Sequence, residues 1–170
     1  HSVTEYLIPL VGSYNLPRKY KIAFSGCAAD CALSQVVDLG FVAQMHNGDP
    51  GFRVFVGGGM GANSRIADEL LEWTPAENVI RIAESIRRMF DQLGDRENRK
   101  RARLRYVLER IGIDEFRRRF NDKMNEVIAD GVPLCIKSAE VNERVAPPSL
   151  AAPKLEKICD VRILRQRQPG

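Results

Sequence analysis

No apolar run in these 170 residues approaches the ~20 that a bilayer-spanning helix needs, so no membrane segment is expected. The first residues carry no charged–apolar–small pattern of a secretory signal. Cysteine is scarce: four residues, unevenly spaced, do not make the framework of a secreted disulfide domain, and the chain reads as cytoplasmic. No Gly-Lys-Ser/Thr follows its glycines, which excludes a Walker loop, and the G-x-G-x-x-G spacing of a dinucleotide fingerprint fails as well. Aromatic residues are 7% of the chain and do not interleave with basic ones, which argues against base stacking. There is no internal repeat. The chain opens on His1 rather than Met, as expected for a piece of a longer or processed product.

What is present is basic charge and a few glycines. The net charge is +4, with arginine plentiful, so an anionic partner fits: nucleic acid, phosphate or a polycarboxylate. The organising stretch is 16–43, LPRKYKIAFSGCAADCALSQVVDLGFVA. Tyr20, Ile22 and Phe24 alternate with Lys19, Lys21 and Ala23, which predicts a strand over 16–25. Lys19 and Lys21 then leave one face with Cα atoms ~6–7 Å apart, close enough for one small anion to touch both. Two solvated lysines on an edge strand is the competing reading. Cys27 and Cys31 stand at i, i+4 and share a face if a short helix forms over 28–35.

Further along, 1–15 reads as an edge strand or entry loop interrupted by Pro9. A second strand is expected over 36–44, with Asp38 near its start. The turn formers of 46–51 predict an antiparallel hairpin into a third strand over 52–56. Phe52, Val54 and Val56 share one face of it, Arg53 and Phe55 the other. Gly57, Gly58, Gly59 and Gly61 follow directly. They form an anion nest at the start of a helix capped by Asn63 or Ser64, or else a plain turn. A short helix is predicted over 66–73. A capping box at Thr74–Glu77 then opens a helix with Val79, Ile82, Ala83, Ile86, Phe90 and Leu93 on its core stripe, ending at Gly94. Asp95 is expected to cap a third helix to Ile111, closed by Gly112, with Arg96, Arg99, Arg103 and Arg110 in one band and Lys100 beside it. That band is a solvated face, a nucleic-acid stripe or a polycarboxylate site. Asp114 caps a last helix with Ile113, Phe116, Phe120, Met124, Val127 and Ile128 apolar, ending at Gly131.

Four blocks in order give a family resemblance. LPRKYK at 16–21 resembles the LPRKFK segment of siroheme-dependent nitrite and sulfite reductases. SGCAADC with DLGFVA, GFRVFVGGGMG, and GDRENRKRARLRYVLERIG are similar to that family's glycine–cysteine turn, glycine-rich loop and GDR-x-x-RK-x-AR-L segment. Together they cover roughly two thirds of the chain, from about Leu16 to Phe120. Past 131, proline and charge rise, and 132–170 reads as an extended linker or C-terminal arm holding Cys135 and Cys159. The resemblance implies an α+β fold with a mixed sheet of three to five strands covered by helices, spanning 1–131. It implies one half-module of an enzyme that carries siroheme and a [4Fe-4S] cluster and reduces sulfite to sulfide or nitrite to ammonia by six electrons. Lys19 and Lys21 would hold the oxyanion and assist proton delivery. Arg18, the glycines 57, 58, 59 and 61, and Arg96, Arg99 and Lys100 would contact siroheme; Arg103 matches the same block or is structural.

A cluster of this type needs four thiolates. Cys27 and Cys31 match one C-x-x-x-C pair, as a half-site, as a symmetry-related vestige, or as two packed thiols. The implied partners are the small oxyanion, an electron-donor protein or domain, and a second half-module in the same longer chain or another subunit. Sulfite and nitrite are not distinguished. The alternative is a non-catalytic basic module that contacts RNA or a protein through the Arg96–Arg110 helix.

Overall fold

The computed structural model describes residues 1–61 and 63–134. The arm expected over 132–170 lies outside the described residues from position 135 onward, Cys135 and Cys159 included. Strands β1 (Ile22–Ser25), β2 (Leu39–His46), β3 (Asp49–Val56) and β4 (Asp68–Pro75) form one sheet in that order. β1 runs parallel to β2, and the other pairs are antiparallel. Helices α1 (Ser2–Leu7), α2 (Val79–Leu93), α3 (Leu104–Ile111) and α4 (Ile113–Ala129) accompany it. The expected α+β class and mixed sheet are therefore what the chain adopts.

The β2–β3 hairpin forms at the predicted turn. Asn47 and Gly48 both take positive φ, 52° and 91°, as a two-residue primed turn demands. His46 then faces Asp49, and the register carries Phe41 opposite Val54 and Leu39 opposite Val56. These four side chains are wholly buried against the helices. Phe52 packs at the edge of this core, and Phe55 joins a small cluster with Val42 and Ala67. The predicted two-face split of β3 thus holds. On α2, Ile82, Ala83, Ile86 and Phe90 are fully buried at helical spacing, and Leu93 packs partly buried before Gly94 ends the helix. Burying each such side chain contributes about 1.5–3 kcal/mol.

Several predicted elements are corrected. Residues 1–15 open with α1 rather than a strand, because Val3, Tyr6 and Leu7 meet the core at i, i+3, i+4 spacing before Pro9. β1 is shorter than the expected 16–25: the Lys21 amide donates to the Asp38 carboxylate (3.0 Å) rather than to a neighbouring strand. No α-helix forms over 28–35; only the 3-10 turn Ser34–Val36 overlaps the end of that range. Asp30 and Leu33 take φ of 48° and 51°, and the buried Asp30 carboxylate accepts the amides of Ser34 (2.8 Å) and Gln35 (3.2 Å). The predicted helix at 66–73 is strand β4. Two register shifts against β3 let adjacent Leu70 and Leu71 both pack on the core, which erased the period-two signature. Thr74 and Pro75 end β4, so they build no capping box; a single turn, Ala76–Asn78, leads into α2 instead. The long third helix is reduced to α3. The Asp95 carboxylate does accept the amides of Glu97 (2.9 Å) and Asn98 (2.8 Å), but Asn98 then takes the Lys100 amide in a second local turn. Asp114 lies in the first turn of α4, one residue inside rather than capping it.

Candidate functional site

A cleft of about 1020 Å³ opens between α1, the extended segment leading into β1, and the turns after α2. Leu7, Ile8, Leu16 and Phe24 give it apolar walls, and Arg18, Lys19, Arg96 and Arg99 bring four cations to it. Its floor is rigid. Phe24 stacks on buried Phe41, ring centroids 4.6 Å apart, and meets Phe52 edge-on at 5.7 Å. Tyr20 lines the same cleft and donates its hydroxyl to the Ala83 carbonyl (3.1 Å). Burial, reinforced by the negative charges of Asp38 and Glu84, pushes that phenol well above its ordinary range, so Tyr20 stays protonated. Arg96 closes one side by donating to the Asn15 carbonyl (2.9 Å) while pairing with Asp91.

The structure therefore gathers four of the predicted residues and leaves the rest elsewhere. Lys21 is exposed and not among the cleft-lining residues, although its backbone is fixed by Asp38. Lys100 is exposed and outside the cleft. The single basic band expected along one helix is absent: Arg96, Arg99 and Lys100 lie in turns, and Arg103 precedes α3. Arg103 instead forks onto Asp38, its Nη2 standing 2.8 Å from each carboxylate oxygen. Asp38 is fully buried; burial raises its pKa against the opposing pull of Arg103 and the Lys21 amide. Arg101 pairs with Glu109, and Arg110 donates to the Leu93 carbonyl. With Arg96 at the cleft, Arg103 on Asp38 and Arg110 on the Leu93 carbonyl, these cations do not share one helix face.

The glycine loop is built differently from an open nest. Gly57, Gly58 and Gly59 are buried, whereas Gly61 is exposed. The Gly57 amide donates to Asp38 and the Gly59 amide to Arg65, both at 2.9 Å. A Cβ on Gly58 would stand 2.4 Å from the Gln35 carbonyl oxygen and 2.8 Å from that of Val37. No helix follows the loop, since β4 takes that place. Beside it lies a group the sequence reading missed. Asn63 and Arg105 both donate to the Tyr106 hydroxyl (3.3 Å each), lowering its pKa. The Asn63–Tyr106 contact spans 43 positions and leaves no trace in local spacing.

Cys27 and Cys31 are both exposed and free, with sulfurs 3.6 Å apart. Hydrogen bonds from the Cys31 amide, the Cys31 thiol and the Ala29 amide lower the Cys27 pKa. The hydrogen bond and charge of Cys27 raise that of Cys31 in turn.

A four-stranded mixed sheet, a cationic cleft and a paired-thiol loop are now in place, and the chain has known relatives. The family model described as the nitrite and sulphite reductase 4Fe-4S domain matches residues 2–128. The chain belongs to that family. It is 40% identical over 117 residues to the sulfite reductase [NADPH] hemoprotein beta-component of Myxococcus xanthus, covering 64% of this chain and 20% of that one. It is 31% identical over 162 residues to the ferredoxin–nitrite reductase of Leptolyngbya laminosa, covering 92% and 28% respectively. The solved structure of the Mycobacterium tuberculosis NirA protein superposes with a TM-score of 0.67 at 28% identity, over 74% of this chain and 23% of that one. The chain thus spans about a fifth to a quarter of the length of these family members. No helix among the described residues is long and apolar enough to cross a membrane.

Proposed function

We propose that this chain supplies part of a siroheme and iron–sulfur reductase that takes sulfite to sulfide or nitrite to ammonia by six electrons. The cleft is the observation that carries this reading. Flat aromatic and aliphatic walls with arginines at the margin suit a macrocycle whose rim bears carboxylates, because guanidinium groups fork onto carboxylates while the ring face takes apolar contact. Bound siroheme supplies the redox chemistry. Arg18, Arg96 and Arg99 are assigned to hold its carboxylates, and Lys100 to neutralise charge from outside the cleft. The exposed end of the glycine loop, at Gly61, offers backbone without bulk for close approach. Lys19 binds and orients the oxyanion and delivers protons to it. Lys21, two residues along the same extended segment, shares that role.

The iron–sulfur cluster finds no complete set here. Among the described residues no three of His, Cys, Asp and Glu gather. The four thiolates of a cubane each serve a separate iron and radiate from separate corners. Cys27 and Cys31 bring two thiols together, half of the four thiolates required. No cluster ligand is assigned within residues 1–134, and the set is expected from other parts of the enzyme. A second half-module, in the same longer chain or another subunit, and an electron-donor protein or domain complete the proposed assembly.

Purification of the full reductase with and without Arg99→Met tests this reading. The siroheme absorption band should fall in the variant. An unchanged band, with unchanged turnover, would remove the cleft from the cofactor site.

A further inference from the structure

We propose that Cys27 and Cys31 form a reversible dithiol–disulfide pair, a modification site separate from the cluster. The two sulfurs already touch at 3.6 Å, both are open to solvent, and the chain between them is pre-turned. The Asp30 amide donates to the Cys27 carbonyl (3.1 Å), and the Leu33 amide to that of Asp30 (2.8 Å). The left-handed φ of Asp30 and Leu33 is held by the buried Asp30 carboxylate, which also accepts the Ser34 hydroxyl at 2.6 Å. Closing the bond therefore requires the sulfurs to approach to about 2.05 Å by side-chain rotation rather than by remodelling the loop.

The two sulfurs have different roles. The contact with the Cys31 thiol at 3.6 Å and hydrogen bonding from neighbouring backbone lower the Cys27 pKa and favour its thiolate, while Cys31 is pushed up, so Cys27 is assigned as the attacking group and Cys31 as the resolving one. The oxidant is a low-molecular-weight disulfide such as glutathione disulfide. The Cys27 thiolate attacks one of its sulfurs, breaking that S–S bond and releasing one thiolate. The Cys31 thiolate then attacks Cys27 Sγ, releasing the second. One protein disulfide forms and one small disulfide is consumed. The two thiol protons end on the two released small thiols.

The loop's position gives the pair a reach beyond itself. The Gln35 carbonyl accepts the Ala67 amide (2.8 Å) and abuts Gly58. The segment that bears the thiols thus also braces the glycine loop.

The test equilibrates the full chain, with Cys135 and Cys159 replaced by serine, in glutathione buffers of graded ratio. Free thiols are then alkylated and the intact mass is read. The expected result is one two-electron transition from two free thiols to none, without accumulated glutathione adduct. Cys31→Ser should trap one glutathione on Cys27, while Cys27→Ser should react slowly and trap little. Two stable glutathione adducts per chain, or thiols that stay free at every ratio, would overturn the proposal. So would an assembled reductase in which both thiols are shielded from alkylation until its cluster is stripped, since that assigns them to the metal.

Discussion

Lys19 shares its cleft with three arginines, and each kind of cation has its own readout. In a complete enzyme carrying this segment, Lys19→Met should leave siroheme content intact and lower turnover per siroheme by about 10²-fold, as for removal of one preorganised charge-stabilising group. Lys21→Met should fall likewise, and the double variant by less than the product, as follows from the proposal that both act on one anion. Arg99→Met should lose cofactor first and keep turnover per remaining siroheme. Wild-type turnover per siroheme in both lysine variants would return them to ordinary surface charge. Glu84 shows what a buried charge does for stability. It is 2% exposed and pairs with Arg87 and Arg88. Burial pushes its pKa up, but the hydrogen bonds from both arginines outweigh this and hold it below its ordinary value. Its contribution is therefore fully present above the ordinary glutamate range, near pH 4.3, and is lost as pH falls through the depressed folded value. Glu84→Gln should cost about 3–5 kcal/mol at pH 7 by stranding Arg87. It should also flatten the acid limb of a plot of urea midpoint against pH. Glu115, held at about 2 by Arg118 and Arg119, keeps part of that limb.

Among the elements, those whose sequence obeyed one period were legible. The hairpin was readable from His46-Asn47-Gly48-Asp49 because two positive φ angles admit few other residues, and α2 from an unbroken apolar stripe. β4 was not, since its bulges place Leu70 and Leu71 side by side on the core. The turns of 95–103 were misread as helix because Asp95 caps either structure with the same hydrogen bonds. In the site, the LPRKYK segment was findable from its residues. The closing contact of Arg96 with Asn15, 81 positions apart, was not. The glycine loop bears a direct test. Gly58→Ala would force a methyl into the Gln35 and Val37 carbonyls, and should cost about 2–4 kcal/mol. Gly61→Ala meets open space but keeps a φ of 121°, so strain alone should cost about 1–2 kcal/mol. Gly26→Ala has neither problem and should change stability by under about 0.5 kcal/mol. Urea unfolding of the three variants checks the order; equal stability of Gly58→Ala and Gly26→Ala would show that the loop yields.

For the molecule as a whole, length decides what it does unaided. It spans about a fifth to a quarter of its relatives and gathers no complete thiolate set among its described residues. The isolated 170 residues should show no turnover of sulfite or nitrite with reduced viologen, and measurable turnover would refute the half-module reading. The parallel attachment of β1 carries a further consequence, in time rather than in space. Parallel neighbours are ordinarily bridged by a helix, but here residues 26–38 cross over as irregular turns. The β2–β3–β4 meander starts from the two-residue turn Asn47–Gly48, whereas β1 reaches β2 only through residues 26–38, is four residues long and has only β2 beside it among the described residues. Local closure precedes distant pairing, so the meander should fold first and β1 should dock last. In the native state the same order runs backwards. Amide protons of Ala23 and Phe24 should exchange with solvent sooner than those of Phe41 and Val54, through a partial opening that leaves the meander intact. Phe24, the cleft floor, would then be the part of the fold that breathes.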